Sequence, residues 1–185
     1  MRIELPMTAM LRDLATGISY SQARIKKQMR LWQELLSGYG AQRIALAANS
    51  SAQWALLDLA CLDADLILVP LPTYLIGSQL THVMSQLQPD IYISDTEQQA
   101  AEFTLLEQVG DLLLYRRELS GAGAVIAPTC QKITFTSGST GQPKGVCLSA
   151  QSQLDVAYSL IERIEQNVPK HLCLLPLSTL LENIA

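Results

Sequence analysis

Residues 135–145, FTSGSTGQPKG, hold three glycines, four hydroxyl side chains and one lysine within eleven positions. An apolar, β-branched run, KITFT, covers residues 132–136 and leads into this stretch. A second short apolar run, VCL, follows it at residues 146–148. The pattern predicts a strand, a loop rich in Gly, Ser and Thr, and a second strand.

We interpret the loop as a phosphate-binding loop. Glycines lack Cβ, so the backbone can approach a ligand closely, and successive N–H groups can form a nest for anions. Ser137, Ser139 and Thr140 add hydroxyl donors, and Lys144 adds a charge suited to phosphate oxygens. It is not a Walker loop, because Pro143 stands where that motif requires glycine. The alternative is a flexible Gly/Ser hairpin tip with one solvated lysine.

The string TSGSTGQPKGV closely resembles the signature loop of the adenylate-forming superfamily, which includes acyl-CoA synthetases, luciferases and adenylation domains of peptide synthetases. The matching residues are Thr136, Ser137, Gly138, Ser139, Thr140, Gly141, Pro143, Lys144 and Gly145. The resemblance implies that all of these except Pro143 and Gly145 bind the phosphates of ATP, with Mg²⁺ bridging. It assigns no catalytic residue and no metal ligand.

The resemblance covers nearly the whole chain, from about Gly17 onward. Two places depart from the family pattern: Ala150 stands where relatives often carry histidine, and Ser178-Thr179 replace an aromatic-His pair. Those positions lie near the acid substrate in relatives, so the acid stays open. Family motifs for adenine, ribose and a catalytic lysine are absent. We therefore expect residues 1–185 to be part of an N-terminal AMP-binding domain, without the rest of that domain or a C-terminal domain.

The family chemistry joins a carboxylic acid to ATP as acyl-AMP and then transfers the acyl group to coenzyme A. The resemblance implies an AMP-forming acid–thiol ligase, most simply the ATP-binding N-terminal part of a fatty-acid-type acyl-CoA synthetase. We expect this chain alone to make no acyl-CoA. The alternatives are an acyl-AMP ligase or a peptide-synthetase adenylation domain, and a non-catalytic subdomain that keeps the loop as a relic.

Buried apolar runs alternate with amphipathic patterns before the loop, which predicts an α/β fold with a mostly parallel sheet flanked by helices. Strands are predicted at 43–48, 66–70, 91–93, 112–115 and 172–175, and helices after Ser19, Ser50 and Gly77 and at 96–108 and 150–166. Residues 1–17 are expected to be irregular, and residues 116–131 to form a mobile connection. A buried stripe of Ile25, Met29, Trp32 and Leu36 is expected on the first helix. His82 is placed on the solvent side of the third.

The composition excludes several classes of protein. The net charge is −4 without a basic run, so nucleic acid is not an expected partner. No apolar run is long enough to span a membrane. The four cysteines and two histidines show no metal-ligand spacing, and three of the cysteines are expected to be buried. We expect a cytoplasmic location, with ATP, a carboxylic acid and coenzyme A as partners.

We predict that the chain hides an apolar face by pairing with another chain, most simply a second copy, or by adopting an altered C-terminus. The rival is a monomer with a frayed tail beyond Pro176. Only 16% of residues are charged against 49% hydrophobic, and residues 172–175 with Leu177, Leu180, Leu181 and Ile184 make a dense apolar terminus. An uncovered apolar face favours pairing with a second copy about a two-fold axis. Sedimentation equilibrium at micromolar concentration should give twice the monomer mass of 20.3 kDa. A monomer with ordered, exposed residues 177–185 would contradict the prediction.

Overall fold

The computed structural model describes residues 3–72, 75, 77–97, 102–118, 125–137, 143–163 and 170–179. The strands are β1 (Met10–Arg12), β2 (Ser19–Ser21), β3 (Arg43–Ala47), β4 (Ile67–Pro70), β5 (Ile91–Ser94), β6 (Phe103–Val109), β7 (Leu112–Arg117), β8 (Cys130–Ser137) and β9 (Pro143–Ser149). The helices are α1 (Gln22–Gly38), α2 (Ala52–Asp63), α3 (Ser78–Leu87) and α4 (Ala150–Arg163). Within this part of the chain, no helix has the length and apolar character needed to cross a bilayer.

Seven strands form one sheet in the order β6-β7-β5-β3-β4-β8-β9. The four central strands β5, β3, β4 and β8 run parallel, while β6, β7 and β9 add antiparallel pairs at the edges. The expected α/β fold with a mostly parallel, helix-flanked sheet is confirmed, including the parallel order predicted for residues 43–94. β1 and β2 form a separate antiparallel pair. The prediction that residues 1–17 are irregular is therefore wrong at β1, which finds a partner in β2 beyond them.

The central strand β3 is buried on both faces, as parallel strands covered by helices are. Ile44 and Leu46 point into a core that includes residues of α1 and α2. Ala45, between them, joins a second core with Val83 and Met84 of α3. Because successive side chains of a strand point to opposite faces, α1 and α2 cover one face of the sheet and α3 covers the other.

The first two helices begin one or more residues later than the sequence patterns indicated. Ser21, not Ser19, caps α1, and its Oγ accepts a hydrogen bond from the Arg24 N–H at 3.4 Å. Ser51, not Ser50, caps α2 by accepting from the Trp54 N–H at 3.2 Å. Ser19 lies in β2, so its hydroxyl precedes the helix by too many residues to cap it. The buried stripe predicted for α1 is confirmed: Ile25, Met29, Trp32 and Leu36.

The helix predicted at residues 96–108 is wrong where the structure describes it. Phe103–Val109 is strand β6, paired with β7 through a turn at Gly110, whose φ is +63°. The Phe103 ring packs against Tyr92 and Tyr115, with centroids 5.0 and 6.2 Å away. This aromatic contact favours the strand over the helical preference of the polar residues. The neighbouring strand prediction at residues 112–115 is confirmed.

The buried strand predicted at residues 172–175 is also wrong. These residues belong to no described strand, and Leu172, Leu174 and Leu175 are 57, 79 and 44% exposed. Apolar composition alone does not bury a segment, because a strand needs a neighbour to pair with. The homodimer remains a prediction.

Two cysteines are buried, not the expected three. Cys61 and Cys130 are buried, whereas Cys147 and Cys173 are exposed. Burial raises the pKa of Cys130 to about 12. It raises that of Cys61 as well. Cys147 is exposed because it lies on β9, the outermost of the described strands at its end of the sheet.

Asp13 ties the N-terminal region to α2. Its Oδ1 accepts from the N–H groups of Ala15 and Thr16, both at 3.0 Å. Its Oδ2 accepts from the Ala52 N–H at 3.1 Å, at the start of the helix. The N–H donors of Thr16 and Ala52 lower the pKa of this carboxyl below its usual range, since they favour the charged form.

We predict that Asp13→Ala lowers the free energy of unfolding by about 1 kcal/mol at pH 7. Because the folded-state pKa is depressed, this stabilisation is present above the unfolded pKa and is lost as pH falls through the folded pKa. Urea unfolding of both proteins from pH 7 down into the acid range measures the difference. Glu4→Ala, at an exposed carboxylate, is the control. A difference that does not change with pH would contradict the assignment.

Candidate functional site

Strands β8 and β9 form the predicted strand–loop–strand unit. They pair antiparallel, and the register places Phe135 opposite Gly145, Thr136 opposite Lys144 and Ser137 opposite Pro143. Of the residues expected to bind phosphate, Gly138, Ser139, Thr140 and Gly141 lie outside the described residues, as does the side chain of Ser137. The structure therefore describes the two ends of the loop, and these meet across the hairpin.

The loop begins at the C-terminal ends of the parallel strands, where ligands of open α/β sheets bind. β8 runs parallel to β4, β3 and β5, so its carboxyl end lies at the same edge as theirs. At this edge the N–H and the Nδ2 of Asn49 both donate to Oδ2 of Asp95 at 2.8 Å, which joins the ends of β3 and β5. The loop thus extends from an end of the sheet where hydrogen bonds link neighbouring strands.

Thr136 and Lys144 stand at the base of the loop. Both are exposed, and the Thr136 hydroxyl donates to the Lys144 carbonyl at 3.5 Å. Directly opposed residues of an antiparallel pair share one face of the sheet, so the Thr136 hydroxyl and the Lys144 side chain lie on the same side. The Lys144 ammonium group can bind an anion such as a phosphate, and so can the Thr136 hydroxyl once it rotates away from the carbonyl.

Gly145 leaves room for neighbouring side chains and does not form a turn. It lies in β9 and is absent from the described residues with positive φ. A Cβ at this position would lie 3.0 Å from Cγ2 of Ile133 and 3.3 Å from Cζ of Phe135. The Phe135 ring therefore covers the glycine across the hairpin, an arrangement that supports glycines in edge strands. Packing across the hairpin thus accounts for a glycine at this position.

An open groove of about 480 Å³ runs between α3 and the hairpin. Ile133 and Phe135 supply apolar lining, while His82, Gln86 and Lys144 supply polar groups. His82, expected on the solvent side of α3, is only partly exposed and borders the same groove as the loop lysine. No local pattern could identify it, because its place depends on the position of β9 next to β8 in the sheet.

The described residues fit phosphate oxygens better than they fit a metal ion. Nowhere in the described ranges do three or more His, Cys, Asp or Glu residues come together to hold a metal. The base of the loop offers an ammonium group and a hydroxyl, which are donors to anions. A divalent ion accompanying a nucleotide would take its ligands from phosphate oxygens and water.

A family model described as AMP-binding enzyme matches residues 15–184. The chain is 24% identical over 182 residues to long-chain-fatty-acid–CoA ligase 5 of Rattus norvegicus, a match that covers 77% of this chain and 27% of the ligase. It is 29% identical over 150 residues to the hybrid PKS-NRPS synthetase xenE of Xenoacremonium sinensis, over 72% of this chain and 4% of the synthetase. The chain therefore spans well under two thirds of these relatives.

The fold is shared with solved structures. The structure of ATP-bound MatB from Rhodopseudomonas palustris superimposes with a TM-score of 0.68 at 16% identity. The superposition covers 96% of this chain and 40% of MatB. At this identity the likeness shows a common fold.

Proposed function

This chain belongs to the family of AMP-binding enzymes, and we propose that it supplies the ATP-phosphate-binding part of an adenylate-forming ligase. The observation that carries the proposal is the pairing of Thr136 with Lys144 at the base of the signature loop. The loop begins at the C-terminal ends of the parallel strands, where nucleotides bind in many α/β proteins. In the proposal, residues 1–185 correspond to part of the N-terminal domain of such an enzyme.

The proposed role of the chain is to bind and orient the leaving group. Binding residues in this scheme are Thr136, Ser137, Gly138, Ser139, Thr140, Gly141 and Lys144. The Lys144 ammonium offsets the charge that develops on pyrophosphate as the acid carboxylate displaces it from the α-phosphate. Hydroxyl and backbone N–H donors hold the phosphate chain in line for that attack. Mg²⁺, when bound with ATP, neutralises further charge on the phosphates.

We propose a carboxylic acid of the fatty-acid type and coenzyme A as the other substrates. The name of the rat relative supports this choice, because that protein is a long-chain-fatty-acid–CoA ligase. The hybrid PKS-NRPS relative supports the second candidate, an adenylation domain that activates an acid for a synthetase. The exposed cysteines Cys147 and Cys173 form no disulfide, which favours a reducing cytoplasm in either case.

Calorimetric titration of the chain with Mg²⁺–ATP tests the phosphate-binding proposal. We expect saturable binding that inorganic pyrophosphate displaces and that adenosine does not, because the loop recognises phosphates rather than the base. Competition by adenosine alone, or no binding of ATP, would contradict the proposal and favour the relic subdomain.

The choice of acid needs a separate assay. Exchange of labelled pyrophosphate into ATP by the protein purified from its natural source, with panels of fatty acids and amino acids, distinguishes the two candidates. Exchange that depends on fatty acids supports the acyl-CoA synthetase. Exchange that depends on one amino acid supports the adenylation domain.

A further inference from the structure

The hairpin that carries the loop meets the parallel strands through β8. β8 and β9 pair with each other at seven positions. β8 pairs with β4 at a single ladder position, Leu68 opposite Lys132. The hairpin is therefore a coherent unit, and Lys132 is its residue in the ladder with the parallel strands.

A buried ion pair lies at this attachment point. Lys132 Nζ is 2.9 Å from Oδ1 and 3.0 Å from Oδ2 of Asp58 on α2. The side chains of Lys132 and Asp58 are only 3 and 13% exposed. A buried ammonium group needs a charged or hydrogen-bonding partner to offset its lost hydration. The preceding residue, Gln131, adds a hydrogen bond from its side chain to Asp65 just after α2.

Asp58 is held by a rigid element. Its helix α2 buries Trp54, Leu57 and Cys61 in the core, so the carboxylate has a fixed place beneath the sheet. Lys132 lies four residues before Thr136 on the same strand. A shift of β8 at Lys132 would therefore displace Thr136 and, through the hairpin register, Lys144 as well.

We propose that the Asp58–Lys132 ion pair is a positioning contact, which fixes the β8–β9 hairpin on the sheet and so sets how tightly the loop binds ATP phosphates. The ligand in this inference rests on the proposed function, whereas the attachment of the hairpin does not. The pair touches no substrate and acts through Thr136 and Lys144. A contact that only stabilised the fold would have a different effect, because its loss would loosen α2 and the hairpin equally.

Buried thiols on either side of the pair provide the measurement. Cys130 lies in β8 and Cys61 in α2, and both are buried in the native protein. Alkylation followed by peptide mapping measures each rate separately. Detachment of the hairpin exposes Cys130 alone, whereas global unfolding exposes both.

The variants are Asp58→Asn, Lys132→Met and the double variant. The double variant removes both charges and leaves no buried ion unpaired, so it is expected to fold even where a single variant does not. In it we expect Cys130 to react about tenfold faster with Cys61 unchanged, and the ATP dissociation constant to rise about tenfold. Glu102→Gln, which neutralises the partner of Arg117 near the opposite edge of the sheet, should change neither value.

Three results would overturn the inference. If Cys130 of the double variant is alkylated as slowly as in the unmodified chain, the pair does not hold the hairpin. Parallel increases at Cys61 and Cys130 would show a contribution to overall stability alone. If Cys130 reacts faster but the ATP dissociation constant is unchanged, attachment of the hairpin does not affect phosphate binding. If the unmodified chain binds no ATP, the proposed function fails, while the thiol rates still decide whether the pair holds the hairpin.

Discussion

Replacing Trp32 with alanine is expected to lower the free energy of unfolding by about 3–5 kcal/mol. Trp32 is 1% exposed in the core between α1, α2 and the sheet. Its Nε1 donates to Oε1 of Gln53 on α2 at 3.3 Å. The change therefore leaves a large cavity and removes a contact between two helices. For a chain of this length, the melting temperature should fall by roughly 6–20 °C.

Thermal and urea unfolding measure this effect. The matched control is Leu31→Ala, one residue earlier on the same helix, where the side chain is 47% exposed. We expect that control to change stability little, because its side chain contributes less buried area. Equal losses in the two variants would show that α1 does not pack on the sheet through the stripe that contains Trp32.

Lys144→Ala is expected to weaken ATP binding by about 10- to 100-fold, the usual range for loss of one charge-assisted hydrogen bond. The proposed function gives Lys144 direct contact with phosphate oxygens. Its side chain is exposed at the base of the loop, so the variant should fold normally. Calorimetric titration with ATP and with pyrophosphate measures the loss, which should be similar for both ligands.

Lys27→Ala serves as the matched control for Lys144. Lys27 is an exposed lysine on α1, a helix on the face of the sheet opposite α3. The two variants change net charge equally, so any difference between them reports the position of the charge and not its amount. If both bind ATP as the unmodified chain does, Lys144 is the solvated lysine of a hairpin tip, and the phosphate-binding interpretation is wrong.

The parallel core was predictable because its pattern is local. Residues of β3 and β4 form short apolar runs, and the helices between strands carry apolar stripes at helical spacing. Strand β6 was missed because its Glu and Gln residues favour a helix. Its pairing depends on the contact of Phe103 with Tyr92 and Tyr115. The Gly110-Asp111 turn was the available signal, since Gly-Asp between two apolar runs indicates a hairpin.

The candidate site was predictable only in part, because local patterns do not reveal contacts between residues far apart in the chain. Residue types and order identify the signature loop, including Thr136 and Lys144. His82 borders the groove beside Lys144, and Asp58 pairs with Lys132. Each contact joins residues more than fifty positions apart, because β8 lies beside β4. Periodicity and turn chemistry carry no information about such distant neighbours. Sheet order must be known before these residues can be assigned.

The irregular strand β6 bears on the behaviour of the protein at high concentration. Its ladder with β7 shifts register between Leu105 and Glu107, and Glu107 accepts a hydrogen bond from the Tyr39 hydroxyl at 3.2 Å. Bulges and charged side chains on an outer strand interrupt the row of free backbone groups that a strand of another molecule would need. This edge therefore resists the strand-to-strand aggregation to which open sheets are prone.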